Sequence, residues 1–261
     1  AVLHAPAIAV DGKGTTWVVW SETSDDQTVN LKACSWNEKN GLGKSVTLAD
    51  SDAAEAFVVA GTDAKGRVWV SWQSFRAGEA DIYARFLDPQ SGKWSKEIAV
   101  AIHKGGDWAP SIAFDKKGNV WIAYDSSRGN EFNLNLARVD ENNHGEVKEF
   151  PIAHSPKYEA RASITATAEG DGFWVAAERG KAKHGLDSRE RSVSRMGCEI
   201  GNMWHARHRF IGSRDHDVKA TVSGDRNDPL PHWHSVYFYM LFWRPHSSAA
   251  ATHQDCGRCV E

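Results

Sequence analysis

Short apolar runs rich in Val, Ile and Trp recur along the first part of the chain, each bounded by polar turn residues. Pro6–Val10 is followed by Asp11-Gly12-Lys13-Gly14 and then by Thr16–Trp20. The same order returns at Val58–Thr62, Asp63-Ala64-Lys65-Gly66 and Val68–Trp72. It returns again at Pro110–Phe114, Asp115-Lys116-Lys117-Gly118 and Val120–Tyr124. A weaker copy is Ala162–Ala166, Glu169-Gly170-Asp171-Gly172 and Phe173–Ala177. Apolar runs of this length, β-branched and aromatic and flanked by Asp and Gly, predict strands joined by tight turns. Glycine at the fourth turn position suits a positive φ, and Asp closes the turn by bonding to nearby backbone. Two more strands complete each unit. They are Asn30–Trp36 and Ser45–Ala49 in the first, Asp81–Leu87 and Glu97–Val100 in the second, and Leu134–Val139 and Glu146–Ile152 in the third.

The anchoring tryptophans are Trp17, Trp69, Trp121 and Trp174, so the units repeat at 52, 52 and 53 residues. A fixed period of this size marks a repeat architecture. Four short antiparallel strands per unit make the blade of a β-propeller, whereas a helical repeat would show a 3.6-residue period. The predicted fold is therefore all-β. Blades fall at about residues 3–52, 53–104 and 105–157, with a partial fourth at 158–187. The Trp and Ile/Val positions are expected to pack between blades rather than to form a ligand platform.

The second and third units resemble the repeats of TolB-type propellers. The residues that carry this are Pro110, Asp115, Gly118, Trp121, Ser126-Ser127-Arg128-Gly129-Asn130-Glu131 and Asn133-Leu134, with Asp63, Gly66, Trp69, Ser74-Phe75-Arg76-Ala77-Gly78-Glu79 and Asp81-Ile82-Tyr83 before them. The units are also similar to sialidase-type repeats. The sialidase Asp box belongs to a later hairpin of its blade, however, and Asp11–Trp17 joins strands one and two. The resemblance spans about residues 3–180. It implies a propeller with an extracytoplasmic, non-catalytic binding or scaffold role. Propellers serve many functions, so the fold alone does not choose among them.

Composition changes near Ser188. Before it stand 14 Lys and 7 Arg; from it onward stand 1 Lys and 9 Arg, with all three Met, three of four Cys and seven of twelve His. Two readings stand for residues 188–261. One is a degenerate fifth blade with Lys219–Ser223 and Ser235–Trp243 as its first strands. The other is a disordered or out-of-register segment foreign to the repeats.

A net charge of -3 and a pI near 6.5 give no footprint for nucleic acid or an anionic membrane. The longest apolar run, Val236–Trp243, is far short of the ~20 residues needed to span a bilayer. Only Cys34 lies in the repeats, so no disulfide framework supports them. Phosphate-loop, dinucleotide, nucleophile-elbow and zinc-protease motifs are all absent from the sequence, so no cofactor is expected. His253-x-x-Cys256-x-x-Cys259, with His232 and His234, has zinc-like spacing, but a single Cys-x-x-Cys in His-rich sequence is a weak signal.

In a four-stranded blade, the loop leading into strand one and the loop between strands two and three lie at the same end. Glu55, Asp107-Trp108 and Glu159 belong to the first kind, and Arg76 and Arg128 to the second. Carboxylates and guanidiniums from successive blades thus meet on one face, where ligand sites belong. Arg forks suit carboxylate or phosphate, and Trp108 suits stacking on a sugar ring. The competing reading is that each Arg pairs with an acid of a neighbouring blade and staples the ring. Trp108 and Arg161 break the repeat, which favours them as ligand contacts over groups that recur in every blade. The expected function is a binding module for a protein partner or a glycan, as part of a longer multidomain chain. The alternative is a carbohydrate-active hydrolase with Asp107 and Glu159 as its acid and base.

Overall fold

The Asp-x-x-Gly turns form as predicted, and each does more than reverse the chain. Asp11 Oδ1 accepts from the N–H groups of Lys13 and Thr15 at 2.9 Å. Asp63 Oδ1 takes Lys65 and Arg67 at 2.9 and 3.0 Å, and Asp115 Oδ1 takes Lys117 and Asn119 at 2.9 Å. The second oxygen of each accepts the indole N–H six residues on, from Trp17 at 3.1 Å, Trp69 at 2.9 Å and Trp121 at 3.1 Å. One carboxylate thus closes the turn and fixes the tryptophan that packs between blades. Gly14, Gly66 and Gly118 complete these turns with φ of 80°, 75° and 81°, a region that a Cβ disfavours. In the fourth unit Thr167 takes the place of Asp. Its hydroxyl pairs with Asp171 at 3.0 Å, and the hairpin is one residue longer, which accounts for the 53-residue spacing.

The computed structural model describes residues 2–128, 131–140, 146–156 and 158–180, and beyond them the strand backbones 189–193, 197–199, 202–204 and 237–242. The first blade contains β1 (Val2–Val10), β2 (Thr16–Thr23), β3 (Val29–Asn37) and a fourth strand in two pieces, β4 (Gly41–Leu42) and β5 (Val46–Ala49). The second repeats this with β6 (Glu55–Thr62), β7 (Val68–Ser74), β8 (Asp81–Asp88), β9 (Lys93–Trp94) and β10 (Ile98–Ala101). The third has β11 (Asp107–Phe114), β12 (Val120–Arg128), β13 (Glu131–Asp140) and an unbroken β14 (Glu146–Ala153). All pairings within these sheets are antiparallel and follow chain order. These sheets make the chain an all-β propeller.

In the fourth sheet β15 (Glu159–Ala166) pairs with β16 (Gly172–Gly180). Two later segments share the other edge of β16: β17 (Arg189–Val193) along Ala176–Gly180, and β20 (Tyr237–Phe242) along Gly172–Val175. β18 (Gly197–Glu199) and β19 (Asn202–Trp204) form a separate two-stranded ladder. Most of Ser235–Trp243 therefore lies on the fourth sheet, while Lys219–Ser223 falls outside the described residues.

Strand one of each of the four blade sheets carries a β-bulge at the same place. The register slips between His4 and Ala7, Ala56 and Val59, Trp108 and Ser111, and Ala160 and Ser163. At each bulge one non-glycine residue adopts a left-handed backbone: Ala5 (φ 42°), Phe57 (52°), Ala109 (50°) and Arg161 (55°), 52 residues apart. Such a conformation costs about 1–2 kcal/mol per residue. Part of this is offset between blades. The N–H of Ala109 donates to Gln73 Oε1 at 3.2 Å, and that of Arg161 to Asp125 Oδ2 at 2.8 Å, each on strand two of the preceding blade. The bulge also explains why strand one begins earlier than the sequence predicts. Pro6 and Pro110 follow the left-handed residue, and the strand continues through it toward Val2 and Asp107.

Among the described residues the core consists of three layers, one at each junction between successive blades. Val19, Leu31 and Leu48 pack with Val70 and Trp72 between the first and second blades. Trp69, Ile82 and Val100 pack with Val120, Ile122 and Tyr124 between the second and third. Trp121, Leu134 and Ile152 pack with Ile164, Phe173 and Val175 between the third and fourth. Burial of this kind contributes about 25 cal/mol per Å² of apolar surface, the main stabilising term. Strand two thus presents Val68, Val70, Trp72 and Ser74 toward the preceding blade and Trp69, Ser71 and Gln73 toward the next. The candidate site sits on the first of these faces.

Candidate functional site

Glu55 opens strand one of the second blade and is fully buried. Its Oε1 accepts from the Ser51 hydroxyl at 2.6 Å and from Ser74 at 3.0 Å. Its Oε2 accepts from Trp72 Nε1 at 2.6 Å and from Arg76 Nη2 at 3.2 Å. Arg76 also donates through Nε to Ser74 at 2.8 Å, stacks over the Tyr83 ring at 4.2 Å and ends on Glu97 at 2.7 Å. One guanidinium therefore ties strands one, two, three and four of its own blade. The pairing that the sequence placed between neighbouring blades lies within a blade. The cause is the strand-two register, which sets Ser74 directly opposite Glu55.

The third blade places different residues on the same frame. Position for position, 52 residues on, Ser51 becomes His103, Glu55 Asp107, Trp72 Tyr124, Asp81 Asn133 and Tyr83 Asn135. Ser126, Arg128 and Glu149 keep the types of Ser74, Arg76 and Glu97. Asp107, one carbon shorter, is fully buried. Its Oδ2 accepts from His103 twice, from the backbone N–H at 3.1 Å and from Nδ1 at 2.9 Å. With that proton on Nδ1, Nε2 accepts from Arg128 Nη2 at 3.2 Å. Arg128 Nη2 also reaches Glu149 Oε2 at 3.2 Å, and the Tyr124 hydroxyl donates to Glu149 Oε1 at 2.6 Å. Glu149 Oε1 lies 3.3 Å from His103 Nε2, a contact that becomes a charged pair when the ring is doubly protonated.

The loop before Asp107 explains why a histidine fits. Gly105 and Gly106 have φ of 103° and 91°. A Cβ on Gly105 would stand 2.0 Å from the Ser127 carbonyl, and one on Gly106 would strike the Trp108 ring at 2.5 Å. The pair lets the loop press against the end of β12. The Gly105 N–H is held by Glu79 Oε2 at 2.6 Å, and the Asp107 N–H by the Ala80 carbonyl at 2.6 Å, both in the second blade. The site therefore lies at the junction of these two blades.

Electrostatics are uneven across it. Burial, then the nearby charges of Asp107 and Glu79, push the Asp81 carboxyl above its ordinary value. Burial and the bond to Glu149 hold the Tyr124 hydroxyl protonated far above the usual phenol range. His154 donates from Nε2 to Asn135 Oδ1 at 2.9 Å, and burial together with Arg128 lowers its proton affinity. Five buried polar atoms on this blade have no hydrogen-bond partner; Asp107 Oδ1, Asn133 Oδ1 and Asn135 Nδ2 share the face toward the second blade, and Asp125 Oδ1 and Arg138 Nε belong to the other face.

The remaining candidates are placed as follows. Trp108 is half-buried and stacks on Phe132 at 5.5 Å, and Phe132 in turn contacts Tyr158 at 4.9 Å, giving an aromatic row from strand one to the next blade. Glu159 is buried and accepts from the Ser155 hydroxyl at 2.8 Å, repeating the Ser51–Glu55 pair. Arg161 occupies the bulge, with its side chain 54% exposed and 3.6 Å from Glu178. Sequence reasoning missed His103. The signal was present, because the column Ser51, His103, Ser155 breaks once, in the same way as the column of Trp108. Among the described residues, no group of three or more His, Cys, Asp and Glu side chains is arranged to hold a metal, and no helix is long and apolar enough to cross a membrane. His253, Cys256 and Cys259 lie outside the described residues.

No protein-family model and no curated protein sequence matches the chain. Solved structures do. A protein of unknown function from Dyadobacter fermentans aligns with a TM-score of 0.54 at 9% identity, covering 67% of this chain and 49% of that one. The α-L-arabinanase of Penicillium chrysogenum, solved with arabinobiose, aligns with a TM-score of 0.53 at 11% identity, over 72% of this chain and 60% of its own. A Hadza microbial sialidase aligns with a TM-score of 0.50 at 9% identity, over 75% and 49%. At such identities the likeness is one of fold, a propeller of the kind sialidases have. The TolB-type likeness rests on the repeat motifs alone. The chain spans roughly half to three fifths of the length of these structures.

Proposed function

We propose that this chain is a glycan-recognising propeller module that binds without cleaving. The observation that supports this is the fate of the acidic column. Glu55, Asp107 and Glu159 are 0–1% exposed, and each is engaged by a Ser or His four residues earlier. Carboxylates held in this way serve first as structural acceptors within their own blades. The groups left at the surface are those that bind: Arg128, His103 and the row of Trp108, Phe132 and Tyr158. Aromatic faces stack on sugar rings, and guanidinium and imidazole donate to hydroxyls. Carbohydrate-active enzymes with the same fold agree with a carbohydrate ligand, and such a role places the module outside the cytoplasm.

A second reading is favoured by one atom. Asp107 Oδ1 is buried without a partner, as a carboxylate awaiting a substrate proton would be, so a hydrolase with Asp107 and Glu159 as acid and base is the competing function. A glycan array and a chromogenic glycoside panel on one sample separate the two. Retention of a glycan without turnover is the expected result. Turnover that disappears in Asp107→Asn would overturn the binding-only reading.

A further inference from the structure

The unpartnered atoms on the face of the third blade turned toward the second are arranged, not scattered. Asp107 is paired with Ser126, and Ser126 with Asn133, so the three form one row across β11, β12 and β13. Asn135 lies two residues further along β13 and therefore on the same side as Asn133. Neighbouring strands are about 4.8 Å apart, so the row from Asp107 to Asn133 extends about 10 Å. A sugar ring with a hydroxyl hydrogen bond on each side fits that span. Asp107, Asn133 and Asn135 are 0%, 8% and 3% exposed. Each buried atom left without a partner carries an uncompensated desolvation cost, and three together on one blade face are unusual. The matching positions of the second blade show no such deficit. Glu55 is saturated by four donors, and Tyr83 fills the place of Asn135 beneath the arginine.

From these observations we infer that the row Asp107–Ser126–Asn133, with Asn135 beside it, is a subsite for the hydroxyls of a neutral sugar residue at the junction of the second and third blades. This rests on the glycan-binding function proposed above and assigns it a ligand class. The balance of free atoms selects that class. Two acceptors, Asp107 Oδ1 and Asn133 Oδ1, need donors, and one amide donor, Asn135 Nδ2, needs an acceptor. A sugar hydroxyl supplies both. A uronate or sialate would bring a carboxylate against Asp107 and Asn133 Oδ1, with Glu149 and Glu79 nearby, and is rejected. His103 and Arg128, with side chains 33% and 39% exposed, cover the row, so the sugar reaches it as they swing aside.

The test carries the second blade's residues into the third. H103S/D107E/N135Y gives the third blade three of the five residues that distinguish the closed network, and Asn133→Ala removes one acceptor while keeping the His103–Asp107 pair. Both are compared with the natural chain for retention of neutral pentose and hexose oligosaccharides and of matched oligouronides, with thermal melting as the check on folding. The natural chain is expected to retain neutral oligosaccharides over oligouronides. Asn133→Ala is expected to weaken retention about tenfold, and the triple variant to abolish it while melting at a higher temperature than the natural chain. Unchanged retention by folded variants would overturn the subsite, leaving glycan binding through the Trp108 row intact, and would mean that these atoms hold structural water only. Preference for oligouronides would likewise overturn the subsite alone. No retention of any glycan by the natural chain would overturn both proposals.

Discussion

Arg76 in the second blade and Arg128 in the third leave the same backbone position and reach the same glutamate column, Glu97 and Glu149. In the second blade the guanidinium passes between Glu55 and Tyr83, bonded to one and stacked on the other. In the third it meets an imidazole, because His103 has taken the hydrogen-bonding place of Ser51 and Asp107 is too short to reach it. Trp72, whose indole saturates Glu55, gives way to Tyr124, whose hydroxyl goes to Glu149 instead. Five substitutions in equivalent columns therefore convert a closed structural network into one with unused valence. The difference teaches that a repeat protein can keep its scaffold and concentrate its chemistry at one junction, and that the unit which departs is the one to probe.

The comparison can be broken most directly at the acids. Glu55→Ala strands the donors of Trp72, Ser74 and Arg76 in a buried setting and should lower the unfolding free energy by about 3–5 kcal/mol in urea titrations. Asp107→Ala releases only His103 and should lower it by about 1–2 kcal/mol. Equal losses would show that the two networks do the same work.

A second contrast lies at the next junction, where Gln73 and Asp125 occupy one column and accept from the bulge N–H groups. Burial pushes the Asp125 carboxyl up to about 7 from an ordinary 3.8, against the lowering effect of the Arg161 and Ala162 N–H groups. A folded pKa raised above the unfolded one means that the protonated carboxyl is favoured in the fold. That contribution is complete below about pH 3.8 and is lost as pH rises to about 7. Asp125→Gln, the second blade's residue, should therefore raise stability by a few kcal/mol at pH 8 and change little at pH 3.5. Thermal melts across pH would show a flattened profile; a parallel shift at all pH values would dismiss the titration.

Smaller effects sharpen the same comparison. Tyr124→Phe removes one hydrogen bond to a partly exposed Glu149 and should cost about 1 kcal/mol, measured by urea midpoint. Arg161→Ala deletes an exposed pair with Glu178 and should move stability by less than about 0.5 kcal/mol. A larger loss would mean that the side chain at the bulge, and not its backbone, supports the junction.

Much of the scaffold was legible because its determinants are local. Asp115, Gly118 and Trp121 lie within seven residues, and the turn they build needs nothing distant. The 52-residue period then placed the strands. The starts of strand one were not legible. Pro6 and Pro110 look like strand beginnings, and nothing nearby announces that Ala5 and Ala109 carry the strand through a left-handed residue. The site was legible by column but not by role. Asp107 and Glu159 align in sequence, yet only the fold shows that serines or a histidine occupy these acids from four residues before. His103 escaped notice because a lone histidine in a polar loop acquires meaning only against Ser51 and Ser155.

The strand-one bulge has a consequence for how such a chain diversifies. Its conformation is set by backbone geometry and, at Ala109 and Arg161, by an acceptor on the neighbouring blade, so the residue that occupies it need not help to hold it. Ala5, Phe57, Ala109 and Arg161 fill one slot with three different side chains at no change in register. Each duplicated unit therefore inherits one address, four along the described chain, at which a methyl, a ring or a cation can be exchanged independently. Recombining specificities between copies requires rewriting single codons rather than refitting sheets.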